Sequence, residues 1–446
     1  MKRKIRIVAI TICMLISILL PLSSCKSNSS ASIVSAEINR KGELVITYSD
    51  GTEENLGAVV GDDGKDGEDG KDGKDGEIGS LVVNNDSDGI AAASTRGLRS
   101  AVSIVSNFEA TVQAGGWYPG SSYITTKEYT SKGSGVIYRA NIEDGDAFII
   151  TNYHVVYDAS SNSEDGISDD ISVFLYGSEK EDKAISATYV GGSLYYDIAV
   201  LHVDDSEILR ASDACGVSIS DSDAVSVGDT AIAIGNAQGL GISSTSGIVS
   251  VDSEYITMTA ADDKTKVSFR VMRVDTAINS GNSGGGLYDS EGKLIGIVNA
   301  KIVYEGVENI GYAIPSNVAV SIAENIIDYC YGTDTNMVQR AMLGVTVSAT
   351  DSRAVYDTST GLIRIEETVS VYEIGDGSLA DGVLEVGDVL VSTTINGKTT
   401  DITRQYHAID MMLDVRVGDV IALNIIRGGE EMTVSITVTK NSLVSY

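Results

Sequence analysis

Short apolar runs, separated by glycine or polar turns, fill the middle of the chain over residues 98–314. Residues 135–138, 147–150, 230–234 and 294–298 are representative, because each is a short run dominated by apolar side chains. Regularly spaced short strands without alternating helices are typical of β-barrels and β-sandwiches. The pattern therefore predicts a mainly β protein in this region.

A convincing helical pattern first appears at residues 316–330, where Ser316 or Asn317 is the predicted cap. This amphipathic stretch follows the last strand of the central region and marks the end of a domain. Further short strands come after it and surround one helical stretch at residues 402–413. A chain of 446 residues is long enough for two or three domains, and the pattern predicts a separate C-terminal one.

The N-terminus has the layout of a secretory signal. Residues 1–24 hold a basic start and an apolar run, which the tetrapeptide Leu22-Ser23-Ser24-Cys25 closes. This tetrapeptide resembles a bacterial lipobox, which implies cleavage before Cys25 and attachment of lipid to its sulfur. A plain signal or an uncleaved anchor is the alternative. The lipobox interpretation predicts an extracytoplasmic protein that is lipid-anchored to the outer face of a bacterial cell membrane.

Residues 25–97 predict a hairpin followed by a spacer. Two alternating runs, at residues 33–38 and 43–48, indicate a short β-hairpin. Over residues 61–79 glycine recurs at every third position, as in a collagen triple helix. The tract has no proline and would stack like charges across chains, which favours a solvated, extended spacer. A collagen-like triple helix is the alternative.

The chain is strongly acidic, with 63 Asp and Glu against 32 Lys and Arg and a formal net charge of −31. Removal of residues 1–24 leaves 28 basic residues against 63 acidic ones, a formal charge of −35. Such a charge excludes nucleic acid as a partner and makes a lipid, not a basic patch, the expected membrane link. Only Cys215 and Cys330 lie beyond the signal and the lipobox, and one possible pair is not a disulfide framework.

Three stretches carry the residue types of serine-based acyl transfer. That chemistry needs a nucleophile, a base, a carboxylate that orients the base and donors for the oxyanion. Ser283 lies between glycines at residues 281–285, His154 follows an apolar strand, and Asp197 precedes another. Each stretch alone is more often a turn, a packing residue or a cap. Together their order, His, Asp and Ser, is that of chymotrypsin-type barrels.

Further motifs accompany these three residues, in one consistent order. They are Gly133-Ser134-Gly135-Val136, Thr151-Asn152-Tyr153-His154, Val227-Gly228-Asp229, Ile234-Gly235-Asn236, residues 245–250, residues 275–279 and residues 311–316. With them, residues 98–335 resemble the HtrA (DegP-like) family of trypsin-fold serine proteases. The resemblance implies a double β-barrel with His154, Asp197 and Ser283 as the catalytic triad in the cleft. It also implies that the amides of Gly281 and Ser283 form the oxyanion hole.

The resemblance places Ala277 near the base of the S1 pocket, with Ile297 and Asn299 along its side. Because no carboxylate lies there, we expect small or medium apolar P1 residues rather than Lys or Arg. Family members commonly have proline where this chain has Ser280 and Gly286. The loop before the serine is therefore expected to be more flexible.

The C-terminal region, residues 336–446, resembles the PDZ domain of the same family. The motifs are Leu343-Gly344-Val345, residues 379–390, Asn396-Gly397-Lys398 and Val417-Gly418-Asp419. Such domains add an extended peptide to a sheet edge and hold its C-terminal carboxylate with backbone amides. The resemblance implies that Leu343, Gly344 and Val345 hold the carboxylate and that the helix at residues 402–413 walls the groove. A β-rich packing domain without a ligand is the alternative.

The predicted organisation is a lipoprotein signal peptide at residues 1–24, a hairpin and collagen-like spacer at 25–97, a protease domain at 98–335 and a PDZ domain at 336–446. The predicted function is ATP-independent serine endopeptidase activity against misfolded or exported proteins at the cell surface. No cofactor or metal site is predicted. We expect unfolded or exported polypeptides and C-terminal peptides as partners, and homotrimers by resemblance. A peptide-binding chaperone or scaffold with secondary proteolysis is the alternative.

Overall fold

The computed structural model describes residues 33–39, 43–58, 89–115, 122–301, 309–358 and 360–445. The predicted signal, the lipidation site Cys25 and the glycine-repeat tract lie outside the described residues, and the predictions for them stay predictions. The chain divides into two compact units, Met1–Val82 and Val83–Tyr446. Among the described residues, no helix combines the length and apolar character needed to cross a membrane.

The first unit contains an antiparallel three-stranded sheet. Its strands are β1 (Ile33–Ile38), β2 (Glu43–Tyr48) and β3 (Glu53–Ala58), in that order. The first two strands coincide with the predicted hairpin, and β3 extends it by one strand that the sequence analysis did not predict.

The second unit begins with a closed barrel. Its strands are β4 (Ala101–Gly115), β5 (Ser122–Asn141), β6 (Asp146–Thr151), β7 (Asp170–Leu175), β8 (Ile185–Ser193) and β9 (Ile198–Val203). They pair in the order β4-β5-β6-β9-β8-β7. Alternate residues such as Ile104, Ile137, Ile149 and Leu201 are fully buried and fill the interior. Because side chains alternate across a strand, this burial follows from the apolar runs.

A second closed barrel follows in the chain. Its strands are β10 (Thr230–Gly235), β11 (Ser243–Thr259), β12 (Lys266–Val274), β13 (Gly286–Tyr288), β14 (Leu294–Val298) and β15 (Gly311–Pro315), paired in the order β10-β11-β12-β15-β14-β13. Its interior is built from residues such as Ala231, Val249, Met272 and Leu287. The two barrels confirm a mainly β fold for the central region.

Helices are few in the described part of the second unit. They are α1 (Ile90–Leu98), α2 (Tyr153–Val156), α3 (Glu207–Arg210), α4 (Ser316–Cys330) and α5 (Gln405–Asp414), with 3-10 turns at Glu181–Lys183, Ser222–Ala224, Ala237–Gly239 and Lys440–Ser442. Helix α4 has the predicted bounds, but its N-cap is Pro315. The Ser316 hydroxyl instead donates to the Ser220 carbonyl at 2.8 Å.

The C-terminal part of the second unit is a β-sheet covered by helix α5. The strands are β16 (Gln339–Ala341), β17 (Val345–Asp357), β18 (Leu362–Ile374), β19 (Val389–Ile395), β20 (Lys398–Asp401), β21 (Val420–Arg427), β22 (Glu430–Thr437) and β23 (Leu443–Ser445). The main sheet has the order β17-β18-β19-β21-β22, β20 pairs with β19, and β16 pairs with β23. Strand β17 is therefore an edge of the described sheet. The PDZ assignment and the predicted domain boundaries stay predictions.

Candidate active site

His154 lies in helix α2, directly after strand β6, and is hydrogen-bonded to Asp197. Its Nδ1 is 2.7 Å from Asp197 Oδ2, and its backbone N–H donates to Asp197 Oδ1 at 2.9 Å. A carboxylate on Nδ1 favours the tautomer with the proton on that nitrogen. Nε2 is then the nitrogen left to accept a proton.

Asp197 occupies the connection between β8 and β9 and is only 4% exposed. Its Oδ2 also accepts a hydrogen bond from Asn299 Nδ2 at 2.8 Å. Its carbonyl accepts from Asn152 Nδ2, also at 2.8 Å. Hydrogen bonds from three side-chain and backbone donors satisfy this buried carboxylate and fix its direction.

The second barrel brings Ser283 to the same place, in the loop between β12 and β13. The Ser283 carbonyl accepts a hydrogen bond from the Ser134 amide of the first barrel at 2.8 Å. Gly284 has φ +82°, and a Cβ there would lie 2.2 Å from the Ser134 carbonyl oxygen and 3.0 Å from the Asn152 amide. Only glycine therefore permits the loop to pack against the strand end that leads to His154.

The Ser283 hydroxyl is oriented towards the second barrel. Its Oγ accepts a hydrogen bond from the Ala300 amide at 3.2 Å. Within the described residues, no hydrogen bond joins this oxygen to the His154 imidazole. Catalytic hydrogen bonds are often long or absent before substrate binds, so this is the geometry of a resting site.

The amides of Gly281 and Ser283 are both available to an oxyanion. The peptide bond before each of these residues is trans, so its carbonyl points away from the N–H. The Ser280 carbonyl accepts a hydrogen bond from the Gln238 amide at 2.7 Å, and the Asn282 carbonyl accepts one from the Gly285 amide at 2.9 Å. Across the part of the chain that the structure describes, neither N–H donates a hydrogen bond. Gly281 has φ +94°, which a side chain would disfavour.

Ser134 anchors this loop, a role that the sequence analysis did not assign. Its hydroxyl donates to the Gly281 carbonyl at 2.7 Å and accepts from the Asn236 amide at 2.8 Å. Gly133 beside it lies so close that a Cβ would be 2.6 Å from Val155 and 3.2 Å from the Ser283 carbonyl oxygen. The motifs around Ser134 and Asn236 were visible in the sequence, but not the contact between them.

The three residues predicted for the S1 pocket differ in their surroundings. Ala277 is exposed, and its carbonyl accepts from the Thr245 hydroxyl at 3.0 Å. Ile297 is fully buried in the hydrophobic cluster that includes helix α4 and has no surface for a substrate. Asn299 is fully buried as well, and its amide nitrogen is committed to Asp197. The S1 assignment stays a prediction, with Ala277 the exposed member.

The predicted carboxylate-binding loop lies at the start of edge strand β17. Gly344 has φ +75°, and its carbonyl accepts from the Gly375 amide at 2.8 Å. The Leu343 carbonyl accepts from the Ala380 amide at 3.1 Å, and its side chain is buried. Val345 begins β17, so the loop lies where an added peptide strand would end. The roles of Leu343, Gly344 and Val345 stay predictions.

The described residues contain no cluster of three or more His, Cys, Asp or Glu that could hold a metal ion. Cys215 and Cys330 are both free thiols. Burial raises the pKa of the Cys330 thiol to about 11, so it stays protonated at neutral pH.

The fold and the site define a trypsin-like serine peptidase. The family described as a trypsin-like peptidase domain matches residues 133–297. The chain is 32% identical over 323 residues to the serine protease Do-like HtrA of Bacillus subtilis, a match that covers 70% of this chain and 65% of that protein. It is 31% identical over 327 residues to the serine protease Do-like HtrA of Lactococcus lactis subsp. cremoris, which covers 71% of this chain and 72% of that one. The chain belongs to the HtrA family.

Similarity extends to one further curated protein and to one solved structure. The periplasmic serine endoprotease DegP of Escherichia coli is 30% identical over 317 residues, covering 71% of this chain and 58% of DegP. A solved structure of the HtrA-type protease AlgW with a decapeptide is 26% identical, with a TM-score of 0.48 and coverage of 78% of this chain and 98% of that one.

Proposed function

We propose that this chain is an ATP-independent serine endopeptidase that degrades misfolded or exported proteins at the cell surface. The observation that carries the proposal is the buried hydrogen bond between His154 Nδ1 and Asp197 Oδ2, 2.7 Å long, beside a loop that presents Ser283 between glycines. A histidine oriented by a carboxylate next to a serine is the arrangement that acyl transfer requires.

In the first half of the reaction, Ser283 Oγ attacks the scissile carbonyl carbon while His154 Nε2 takes the hydroxyl proton. The electron pair of the C=O bond moves to its oxygen, which the amides of Gly281 and Ser283 stabilise. Collapse of this intermediate breaks the C–N bond, and the imidazolium gives its proton to the leaving amine. Asp197 stays ionised and holds the imidazole in its tautomer.

In the second half, a water molecule takes the place of the leaving amine. His154 removes a proton from the water, whose oxygen attacks the acyl carbon. The new intermediate collapses, the bond to Ser283 Oγ breaks, and the imidazolium returns its proton to the serine. A carboxylic acid is released and the resting enzyme is restored.

Activation requires the serine hydroxyl to turn. In the resting geometry Ser283 Oγ accepts from the Ala300 amide, so it must exchange that contact for one with His154 Nε2. We propose that substrate binding drives this exchange, since a peptide in the cleft brings its carbonyl to the donors of Gly281 and Ser283.

The proposed substrates are unfolded polypeptides cut after small or medium apolar residues, with Ala277 at the base of the S1 pocket. We propose that the C-terminal domain is a PDZ domain that holds C-terminal peptides at Leu343, Gly344 and Val345. Homotrimeric assembly and anchoring through a lipid on Cys25 complete the proposal. The position of β17 at the edge of its sheet, beside helix α5, supports peptide addition in this domain.

The test is cleavage of casein by the purified mature chain, without ATP, followed by mass spectrometry of the products. We expect Ser283→Ala to lower the rate by at least about a thousandfold, because the nucleophile is lost. A chelator should leave the wild-type rate unchanged. Full activity of Ser283→Ala, or inhibition by the chelator, would refute the serine mechanism; cleavage mainly after Arg or Lys would refute the specificity.

A further inference from the structure

The backbone at Asp197 is in a conformation that needs support. Its φ is +55°, in the left-handed region that residues with a side chain rarely adopt. Such conformations persist only where surrounding contacts fix them. On the C-terminal side the Asn152 side chain holds the Asp197 carbonyl, and fully buried β9 follows. On the N-terminal side the preceding residue is Tyr196, which is buried and whose backbone N–H donates to the Ser193 hydroxyl at 3.3 Å.

Tyr196 is anchored by a residue 144 positions later in the chain. Its side chain is 4% exposed, and its hydroxyl accepts a hydrogen bond from Arg340 Nη1 at 2.5 Å. The Arg340 guanidinium also lies 5.8 Å from the centre of the tyrosine ring. The ring is therefore fixed at its far end, one residue before the strained backbone of Asp197.

Arg340 is itself tied to the C-terminal domain. It lies in β16, and its second arm, Nη2, donates to the Ile409 carbonyl of helix α5 at 2.9 Å. The residue is only 9% exposed, and no carboxylate forms a salt bridge with it among the described residues. Its direct acceptors are neutral, its Nε has no hydrogen-bond partner among the described residues, and it interacts with the charge of Asp410 only at longer range. Burial of such a guanidinium contributes little to stability, so a positional role accounts for it better.

We propose that Arg340 is a positioning residue that holds Asp197 in place through Tyr196. Its Nη2 donates to helix α5, so the position of Asp197 is linked to that helix. The inference rests on the proposed catalytic role of Asp197. Asp197 contacts His154 at 2.7 Å and 2.9 Å, so a small rotation of its backbone would lengthen both hydrogen bonds. Arg340 has no contact with the nucleophile or with the predicted S1 residue Ala277. Its loss should lower kcat and leave KM unchanged.

The experiment measures kcat and KM on an unfolded protein substrate for Tyr196→Phe, Arg340→Met and the double variant. We expect each single variant to lower kcat by roughly ten- to hundredfold with KM unchanged, because small misplacements at an active site have effects of that size. The double variant should be no slower than the slower single one, since both changes break the same link. Arg340→Lys keeps one donor arm and should recover part of the loss.

The matched control is Arg416→Met. Arg416 pairs with Asp328 of helix α4 at 2.9 Å, so this change also removes an interdomain arginine, but one with no contact to Tyr196. We expect its kcat to be that of the wild type. Thermal unfolding of every variant checks folding, and Tyr196→Phe removes only one oxygen atom from the core.

The outcomes separate this inference from the proposed function. Wild-type kcat in Tyr196→Phe, losses that multiply in the double variant, or an equal loss in Arg416→Met would each overturn the role of Arg340. Ser283→Ala is run in the same assay. If it stays active, the proposed function itself fails; if it is inactive while Arg340→Met is unimpaired, only the positioning role fails.

Discussion

At the scale of single residues, Ser134 holds the loop that carries Ser283, although it has no role in the proposed reaction. It bridges the Gly281 carbonyl and the Asn236 amide, and its own amide holds the Ser283 carbonyl. One buried serine of the first barrel thus holds this loop of the second barrel at Gly281 and at Ser283. The hydroxyl holds the peptide between Gly281 and Asn282, which follows the peptide that carries the Gly281 N–H.

We expect Ser134→Ala to lower kcat by roughly ten- to hundredfold, because the loop that carries Ser283 loses its hydrogen bond at the Gly281 carbonyl and can shift out of place. It should also lower the free energy of unfolding by about 1–3 kcal/mol, since the buried Asn236 amide is left without an acceptor. Steady-state kinetics and urea unfolding measure the two effects. Ser100→Ala is the matched control, because Ser100 is an equally buried serine that bonds Gly97 and Tyr288 instead. A Ser134→Ala variant that is destabilised but catalytically normal would contradict the prediction.

The sequence predicts residues whose chemical type the reaction demands. His154, Asp197 and Ser283 stand out because acyl transfer needs those side chains and because glycines flank the serine. Asn299 does not stand out, since an amide that binds a carboxylate 102 positions away leaves no local pattern. The family resemblance placed it along the S1 pocket, which stays a prediction, and gave no sign of its hydrogen bond to Asp197.

At the scale of elements, helix α5 closes off part of the edge strand that a peptide would use. Gln405, the first residue of α5, donates from Nε2 to the Val347 carbonyl of β17 at 2.9 Å. An added strand would need the free backbone groups of β17. The groove, if it binds peptides, must first release this contact.

We expect Gln405→Ala to bind a peptide with a free C-terminal carboxylate about three- to tenfold more tightly. The reason is that the peptide no longer has to break the hydrogen bond between Gln405 and the Val347 carbonyl. Fluorescence anisotropy with the peptide and its C-terminally amidated form measures this. The control is Gln339→Ala, which removes a glutamine side chain in β16 instead. This variant should bind the peptide like the wild type. Weaker binding by Gln405→Ala would show that the glutamine supports the groove.

Elements with strong local patterns are predictable from the sequence. Helix α4 has the predicted bounds because its apolar residues repeat at helical spacing. Helix α5 begins at Gln405, three residues later than predicted, because Arg404 is extended with φ −137° and ψ 150°. Strand β3 was missed since Glu53–Ala58 has no apolar alternation, and pairing with β2 decides its conformation.

At the scale of the whole second unit, buried arginines join helix α5 to the barrels. Arg270 of β12 is 3% exposed; it donates a hydrogen bond to Asp223 at 2.7 Å and forms an ion pair with Asp410 of helix α5 at 2.9 Å. Its guanidinium also lies 3.9 Å from the centre of the Tyr406 ring. Asp410 and Tyr406 lie more than a hundred positions from Arg270 in the chain, so no pattern along the sequence could predict these contacts.

Two carboxylates share the one guanidinium of Arg270, and they respond differently. Burial raises the pKa of Asp410 from its ordinary 3.8 to about 6, against the attraction of Arg270 and with the repulsion of Asp223. Asp223 also loses hydration, but the charge and hydrogen bond of Arg270 leave its pKa below the ordinary value. Asp410 is therefore the carboxylate of this interface that gains a proton in mildly acidic solution.

Because the pKa of Asp410 is raised in the folded chain, the direction in which this group changes the free energy of unfolding with pH is known. Between pH 3.8 and about 6 the folded chain binds a proton at Asp410 that the unfolded chain has released, so this group makes the fold less stable as pH rises through that range. Asp410→Asn lacks the titration, and its stability relative to wild type should increase over the same range by at most about 3 kcal/mol. Urea unfolding at a series of pH values measures the difference.

Asp328→Asn, which removes an interface carboxylate paired with Arg416, controls for the lost charge. A difference between Asp410→Asn and wild type that stays constant with pH, or that falls as pH rises, would show that Asp410 remains ionised and that Arg270 binds both carboxylates as full ion pairs.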